Sequence, residues 1–376
     1  MRSSSTSRRE FLAGDFDGPE QQSRPESRAK LRYRTLGKTG LKLTSVGFGC
    51  MVTSDSSVVE MSLDSGINYF DTARDYQNGN NEKMLGSAIK GRRTSVYVST
   101  KTGAIEKADA LKDLEDSLRA LGTDYVDIWM LHDRSRVSEL TPALIEALQE
   151  AKKQGKARFT GVSTHRGQAE IVAAAIKSGH FDVVMTSYNF AMDHEKMDPI
   201  IHAAHEAGVG VIAMKVLAGS FRLDPATFDK ARAVLKRPGA GLAALKWALR
   251  NAEIDVAVAG ILDADQLREN MRAMTEPFEE PDARLLAQYI NRFGPLYCRM
   301  CGHCKGACSR GLPVSDMLRI LTYCDGYRQF PLARERFLEL PEEARQVRCT
   351  CAKCTVECPF GVRVAERLRK AQALLA

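Results

Sequence analysis

The stretch GINYFDTARDY, residues 66–76, joins a short apolar run to an abrupt polar turn. The run at 67–70 has the length of a buried parallel strand. The carboxylate of Asp71 and the phenol of Tyr76 follow it directly, and catalytic groups of parallel barrels lie at the C-terminal ends of their strands. An aspartate after a strand is also a common helix cap and a loop tyrosine commonly packs, so residues from other strands decide between these interpretations.

Strand-like and helical patterns alternate along about 250 residues of the chain. Eight of each predict an α/β fold, a (β/α)8 TIM barrel. A doubly wound sheet is the alternative, but it needs a glycine-rich phosphate loop after its first strand, and residues 47–51 (GFGCM) do not continue as G-x-G-x-x-G. The predicted strands are 45–49, 67–70, 95–100, 125–131, 157–162, 181–187, 209–214 and 256–260. The predicted helices are 57–63, 82–90, 108–120, 142–154, 168–178, 199–207, 240–250 and 264–273.

The amino-acid composition indicates the size of the fold and argues against a membrane or a nucleic acid as a partner. The chain has 376 residues, 44% of them apolar, which suits a large barrel with an appended domain. No apolar run has the length of a membrane-spanning helix, so we expect no membrane span. The 54 basic and 47 acidic residues are mixed along the chain, which argues against a nucleic-acid surface.

The first thirty residues are polar and rich in serine and arginine, and we expect 1–30 to be a disordered tail. The tail contains SRREFL at 7–12, which resembles a twin-arginine export motif. Export also requires an apolar segment next, and DFDGPEQQ at 15–22 cannot supply it. We therefore predict a cytoplasmic protein, with export as the minority interpretation.

Further polar residues end the neighbouring predicted strands. Lys101 ends the third strand and His132 ends the fourth. A lone lysine at a strand end is usually solvated and a lone histidine is usually structural. Together with Asp71 and Tyr76, however, they would meet on one barrel face, which predicts a catalytic site there.

These segments resemble the aldo-keto reductase family, whose tetrad is Asp, Tyr, Lys and His in this chain order. The matching motifs are FDTA at 70–73, Tyr76, STK at 99–101 and LH at 131–132, with similarity continuing at 160–163, 187–189, 210–215 and 259–270. The resemblance covers residues 31–280 and implies a TIM barrel with Asp71, Tyr76, Lys101 and His132 as catalytic residues. It also implies a nicotinamide cofactor extended across the barrel mouth and a small carbonyl or alcohol substrate.

The chemistry of the tetrad follows from its side chains. Hydride transfer to a carbonyl carbon leaves charge on the oxygen, which needs a proton. Tyr76 could give that proton, but an ordinary phenol has a pKa of about 10. We expect Lys101 to lower the pKa of Tyr76, and Asp71 to hold Lys101 charged. His132 would donate to the carbonyl oxygen. Arg74, between two members of the tetrad, hints at a small or anionic carbonyl.

The resemblance also implies cofactor-binding residues. Tyr188 resembles the residue that stacks on the nicotinamide, and Ser163 one that contacts its carboxamide. Two positions depart from the family, because Thr164 stands where Asn is common and Met185 where Gln is common. Asp263 would repel a 2′-phosphate while Arg268 would attract it, so we predict NADP(H) in preference to NAD(H). The remaining predicted cofactor residues are Met214, Lys215, Leu217, Gly260, Gln266 and Asn270.

Nine of the ten cysteines lie between residues 298 and 358. Such clustering suits metal ligation and a reducing compartment better than a disulfide framework. The first run has the bacterial ferredoxin spacing C-x2-C-x2-C-x3-C, with Ser309 in place of the usual proline. The second keeps the last three cysteines and the proline, but its first cysteine comes one residue late, with Arg348 in the expected position. The runs are Cys298, Cys301, Cys304 and Cys308, then Cys349, Cys351, Cys354 and Cys358.

The two runs, joined by helical patterns at 314–323 and 332–340, resemble an α-helical ferredoxin domain, here predicted for 281–376. In such domains the fourth cysteine of each run binds the other cluster. The resemblance thus implies two [4Fe–4S] clusters, and structural zinc is the alternative. Cys324 is an extra ligand or a buried thiol. One set is Cys298, Cys301, Cys304 and Cys358, and the other is Cys349, Cys351, Cys354 and Cys308.

Three roles remain open for this region. It could be a structural roof over the barrel mouth. It could instead exchange electrons with a redox partner protein, since a hydride carries two electrons and a cluster takes one. The whole chain could also be a catalytically idle redox sensor, like the potassium-channel β subunits that share this barrel.

Overall fold

A computed structural model describes residues 31–192, 194–218 and 239–376, so the tail predicted at 1–30 lies outside the described residues. The described chain begins with an antiparallel hairpin of β1 (Tyr33–Thr35) and β2 (Lys42–Thr44). Leu36, Leu41 and Leu43 of this hairpin are buried against side chains inside the barrel. The hairpin therefore closes the end of the barrel opposite the strand C-termini.

Eight parallel strands close into a barrel in chain order, with the last strand pairing with the first. This confirms the predicted (β/α)8 barrel. The strands are β3 (Val46–Gly49), β4 (Tyr69–Asp71), β5 (Tyr97–Thr102), β6 (Val126–Leu131), β7 (Ala157–Thr164), β8 (Val183–Ser187), β9 (Gly210–Met214) and β10 (Val256–Gly260).

The barrel interior is filled by large side chains that pack against glycines. A Cβ atom on Gly47 would stand 2.6 Å from Tyr69, and one on Gly161 would stand 2.8 Å from Met130. Alternation of large and small residues is how a closed parallel barrel fills its axis. Because side chains fill the barrel axis, we expect a ligand to bind at the rim.

The barrel helices are α1 (Ser56–Asp64), α2 (Asn80–Ala88), α3 (Lys107–Leu121), α4 (Pro142–Lys153), α5 (Gln168–Ser178), α6 (His194–Glu206), α7 (Ala240–Leu249), α8 (Ala264–Arg272) and α9 (Glu280–Phe293). The predicted start of the sixth helix at Pro199 was wrong, because α6 begins at His194 and contains that proline. Proline often marks the first turn of a helix, and here a further turn precedes it. Helix α9 packs its Leu286, Tyr289 and Phe293 on the barrel core.

The C-terminal region has its own apolar core, which includes Met317, Leu321, Phe337 and Leu368. Two of its four helices were predicted, with ends displaced by a few residues, and the last two were not. None of the helices in the described residues is long and apolar enough to cross a membrane. The helices are α10 (Val314–Asp325), α11 (Phe330–Leu338), α12 (Glu342–Gln346) and α13 (Val364–Leu375).

Ion pairs fasten this region to the barrel mouth. Arg319 of α10 pairs with Asp133 at 2.6 Å, and Arg336 of α11 pairs with Asp75. A third pair joins Arg166 of the barrel to Asp316 at 2.9 Å. Helices α10 and α11 thus lie over the C-terminal ends of the barrel strands and form a roof.

Candidate active site

A cavity of about 670 Å³ lies at the C-terminal ends of the barrel strands, beneath α10 and α11. Barrel residues and roof residues both line it. From the barrel come Asp71, Tyr76 and His132, and from the roof come Arg319, Tyr323 and Arg336. Three of the four catalytic residues predicted from the sequence, Asp71, Tyr76 and His132, therefore line one cavity.

Lys101 and Asp71 form a buried ion pair beside this cavity. The Nζ atom of Lys101 donates to Oδ2 of Asp71 and to the carbonyl oxygen of Thr72, both at 2.7 Å. Ser99 donates to the other carboxylate oxygen at 2.6 Å. Lys101 is 1% exposed. Neighbouring strands β4 and β5 fix this geometry, because Asp71 and Ser99 face each other in the parallel register.

Tyr76 lies over this pair. The Nζ atom of Lys101 is 5.0 Å from the centre of the Tyr76 ring, and the ring of His132 meets it edge-on at 5.6 Å. Burial raises the pKa of Tyr76 well above its ordinary value, with further raising by Asp71 and Asp75 and some opposition from Arg336. The net direction is opposite to the lowering expected from Lys101, because burial has the largest influence on this pKa. Tyr76 is therefore held as a neutral phenol.

His132 has an aspartate on its other side. Its Nδ1 atom lies 3.2 Å from Oδ1 of Asp75, the residue that precedes Tyr76. The next residue, Asp133, has a left-handed backbone with φ of 50° and pairs with Arg319. Each of these aspartates is thus adjacent in the sequence to a tetrad residue and contacts the roof.

The sequence did not reveal four charged residues that line the cavity, namely Asp75, Asp133, Arg319 and Arg336. Their position beside Tyr76 and His132 was the signal available for Asp75 and Asp133. No local signal marked Arg319 and Arg336, since their role depends on how the roof docks. Arg74, in contrast, pairs with Glu82 and does not line the cavity, so it gives no support for an anionic substrate.

The predicted cofactor residues fall into two groups. Six line the cavity, namely Met214, Lys215, Leu217, Gly260, Gln266 and Asn270. Burial lowers the pKa of Lys215, whose Nζ atom lies 5.6 Å from the centre of the Tyr323 ring. These residues run from the end of β9 to α8 along one side of the cavity.

Ser163 and Tyr188 do not line the cavity. The hydroxyl of Ser163 accepts from the backbone N–H of Asp133 at 2.9 Å. Tyr188 is 2% exposed, packs on Trp247 and donates to Asp198 at 2.9 Å. The structure therefore does not bring Tyr188 to the cavity, because its ring contacts side chains of α6 and α7.

Asp263 and Arg268, the two residues considered for recognition of a 2′-phosphate, already have partners within the protein. Asp263 caps α8 by accepting from the backbone N–H of Gln266 at 2.8 Å. Arg268 pairs with Asp265, remains 64% exposed and does not line the cavity. Glu269 does line it, and the backbone N–H of Gly239 donates to this carboxylate.

The two cysteine runs pack against each other. Lys305 and Glu357 form an antiparallel bridge, in which each backbone N–H donates to the carbonyl oxygen of the other residue, with nitrogen-to-oxygen distances of 2.9 and 3.0 Å. The hydroxyl of Thr355 donates to the carbonyl oxygen of Ala307 at 2.8 Å. This bridge brings the third cysteine of each run close to the fourth cysteine of the other. All ten cysteines of the chain are free thiols.

Electrostatic contacts divide eight of these thiols into two groups. Burial raises the pKa of Cys298 to about 12, and the thiols of Cys304, Cys301 and Cys358 add to the increase. Burial also raises the pKa of Cys349, and the nearby thiols of Cys351, Cys354 and Cys308 add to the increase. Within residues 31–192, 194–218 and 239–376, no three His, Cys, Asp or Glu side chains are close enough to share one metal ion.

A parallel barrel with a cavity at its C-terminal rim, lined by several charged residues, is the architecture of a large class of enzymes. Residues 52–291, more than half of the chain, match the Aldo/keto reductase family. The chain belongs to the aldo/keto reductase family and is an oxidoreductase. The match ends before the first cysteine run.

Curated relatives agree with this assignment. L-galactose dehydrogenase of Arabidopsis thaliana is 29% identical over 284 residues, which cover 66% of this chain and 89% of that protein. A probable voltage-gated potassium channel subunit beta of the same plant is 26% identical, over 65% of this chain and 91% of that protein. Both similarities leave about a third of this chain unmatched.

Solved structures share the barrel. The holo form of an aldo-keto reductase from Bacillus halodurans has a TM-score of 0.59 at 26% identity, over 69% of this chain and 96% of that one. An aldo-keto reductase from Klebsiella pneumoniae, solved in complex with NADPH, has a TM-score of 0.58 at 23% identity, over 69% and 95%. The second likeness shows the fold alone.

Proposed function

We propose that this chain reduces a carbonyl group, or oxidises the corresponding alcohol, with Tyr76 as the general acid or base. The observation that carries the proposal is the buried Lys101–Asp71 pair under the Tyr76 ring, with His132 beside that ring, at the cavity that Asp71, Tyr76 and His132 line. A bound nicotinamide supplies or accepts the hydride. The protein supplies the proton, the orientation and the field.

In reduction, the oxygen of the substrate gains negative charge while Tyr76 is a neutral phenol beside it. The raised pKa of Tyr76 keeps this proton available until the oxygen becomes basic enough to take it. The phenolate that forms lies near the ammonium of Lys101, which then has a second anion to stabilise. His132 donates to the same oxygen and fixes its position.

For the cofactor, we propose NADP(H) in preference to NAD(H). Membership of the aldo/keto reductase family supports this choice. Asp263 caps α8, where the positive end of the helix dipole partly offsets its repulsion of a phosphate. We propose that Met214, Lys215, Leu217, Gly260, Gln266 and Asn270 contact the cofactor.

We further propose that the C-terminal region is an α-helical iron–sulfur domain with two [4Fe–4S] clusters. A [4Fe–4S] cluster distributes four thiolates over four irons, so its cysteines need not share one ion. The two thiol groups described above fit this arrangement, each with three cysteines of one run and the fourth of the other. Cys298, Cys301, Cys304 and Cys358 would hold one cluster, and Cys349, Cys351, Cys354 and Cys308 the other.

The proposed domains are a barrel at 31–280 and an iron–sulfur domain at 281–376. The packing of α9 on the barrel core favours moving this boundary toward Tyr297. The lining of the cavity by α10 and α11 supports a structural roof as the main role of the second domain. The partial exposure of Cys301, Cys304, Cys351 and Cys354 keeps electron exchange with a partner protein as the second candidate.

Anaerobic purification tests the proposal most directly. We expect iron and sulfide in equal amounts, an absorption spectrum of iron–sulfur clusters, and reduction of at least one carbonyl in a panel assayed with NADPH and NADH. Removal of iron from folded protein separates the two roles of the second domain. Unchanged turnover in the iron-free protein favours the roof, whereas loss of turnover with the roof still docked favours the relay.

A further inference from the structure

Asp75 is held between the barrel and the roof. Its Oδ1 atom lies 3.2 Å from Nδ1 of His132, and its Oδ2 atom pairs with Arg336 of α11. Arg336 is separated from Asp75 by 261 residues in the sequence and is further fixed by both oxygens of Glu339, at 2.9 and 3.0 Å. A roof residue thus reaches the tetrad through one carboxylate.

The contact is protected from solvent. The His132 side chain is 10% exposed and that of Arg336 is 19% exposed. Among the described residues, Oδ1 of Asp75 is buried and makes no hydrogen bond of ordinary geometry, so its 3.2 Å approach to Nδ1 of His132 is an ion-pair contact. Burial acts to raise the pKa of Asp75, but His132 and Arg336 outweigh it and hold this pKa well below its ordinary value. Asp75 is therefore a carboxylate at neutral pH.

We propose that Asp75 and Arg336 are positioning residues that hold His132 in its catalytic orientation, so that the roof completes the active site. The inference rests on the function proposed above. A carboxylate beside Nδ1 keeps a proton on that nitrogen and fixes the plane of the ring. The Nε2 atom is then the one left for the carbonyl oxygen. Arg336 keeps Asp75 ionised and holds its carboxylate in place beside Nδ1 of His132.

A second contact supports this role of the roof. Asp133, which follows His132, has a left-handed backbone that non-glycine residues rarely adopt. Arg319 of α10 binds its carboxylate, and its backbone N–H donates to Ser163. His132 therefore lies between two aspartates, each of which is anchored by an arginine of the roof.

The test compares four variants. Asp75→Asn keeps the shape of the side chain but removes its charge, and Arg336→Gln removes the cation. Arg336→Lys is the conservative variant. Arg166→Gln is the matched control, because the Arg166–Asp316 pair also joins barrel to roof but does not line the cavity. Kinetics and the imidazole nitrogen signals of protein labelled with ¹⁵N-histidine are measured for each.

We expect Asp75→Asn and Arg336→Gln to lower kcat by about tenfold to 10²-fold with the KM for the cofactor unchanged, because misorientation of a catalytic group costs this much. Arg336→Lys should recover most of kcat. With seven histidines in the chain, the His132 signal can be assigned by its loss in His132→Asn. This Nδ1 signal should shift in Asp75→Asn and Arg336→Gln but not in Arg166→Gln.

Equal kcat and an unshifted His132 signal in Asp75→Asn would overturn the inference. If Arg336→Gln loosens the roof, Asp75→Asn still decides, since the amide oxygen of asparagine can go on accepting from Arg336 while the charge beside His132 is lost. Failure of the proposed function has a different signature. In that case the wild-type protein reduces no carbonyl, while the His132 signal continues to report whether the contact with Asp75 exists.

Discussion

The wall and the roof of the cavity are built in different ways. The wall consists of strand ends, so Asp71, Lys101 and His132 are placed by a register that repeats around the barrel. The roof consists of short helices around a small apolar core, with cysteine runs packed beside them. A residue of the wall is therefore fixed by its strand, whereas a residue of the roof is fixed by docking and, in our proposal, by clusters.

Replacing Tyr76 should produce the largest effect, because the wall carries the chemistry. We expect Tyr76→Phe to lower kcat by about 10²–10⁴-fold, the contribution of general acid catalysis, with the Kd for NADPH nearly unchanged. Single-turnover kinetics and cofactor fluorescence titration measure the two quantities. Arg336→Gln is the roof counterpart and should cost less. Loss of cofactor binding with chemistry preserved would contradict the assignment of Tyr76.

Replacing one residue of the buried Lys101–Asp71 pair should lower both the stability and the activity of the protein. Lys101→Met leaves Asp71 buried without its partner, so we expect about 3–5 kcal/mol lower stability, together with about 10²-fold lower kcat. Asp71→Asn combined with Lys101→Met removes both charges and should regain stability without regaining activity. Urea unfolding and steady-state kinetics provide the comparison. A double variant as unstable as the single one would show that the pair does not act as a unit.

The roof should respond to loss of a cluster ligand. Cys298→Ser is expected to reduce iron from about eight to about four atoms per chain, since each proposed cluster has four. Cys324→Ser is the control, because Cys324 belongs to neither group of thiols. Iron analysis and limited proteolysis of the C-terminal region measure the outcome. Equal iron loss in the two variants would contradict the proposed ligand sets.

The same contrast explains what the sequence could predict. Periodic apolar runs end at polar residues, so the barrel and the convergence of Asp71, Tyr76 and His132 follow from local patterns. The grouping of the cysteines was implied by the resemblance to ferredoxin domains and stays a proposal. In contrast, the direction of Tyr188 depends on packing with Trp247, which lies 59 residues further along the chain. The arginines of the roof became visible only once α10 and α11 were docked.

The smallest effect is expected at the adenosine end of the cavity, where the sequence and the structure point to different residues. Arg268 was predicted to attract a 2′-phosphate, but it pairs with Asp265 at the surface. Asn270 lines the cavity and is 4% exposed. We expect Arg268→Ala to change the ratio of Kd values for NADPH and NADH by less than about twofold, because exposed ion pairs contribute about 0–1 kcal/mol.

Asn270→Ala should instead weaken both cofactors by a similar factor, because an unpaired polar group is left in the site. Titrations at low and high salt separate electrostatic from other contributions, since salt screens exposed charges over about 10 Å. A selective, salt-sensitive loss of NADPH affinity in Arg268→Ala would show that this side chain leaves Asp265 when the cofactor binds. Arg268 would then resemble the arginines of the roof, because its functional charged contact would form only when two separate parts, here protein and cofactor, come together.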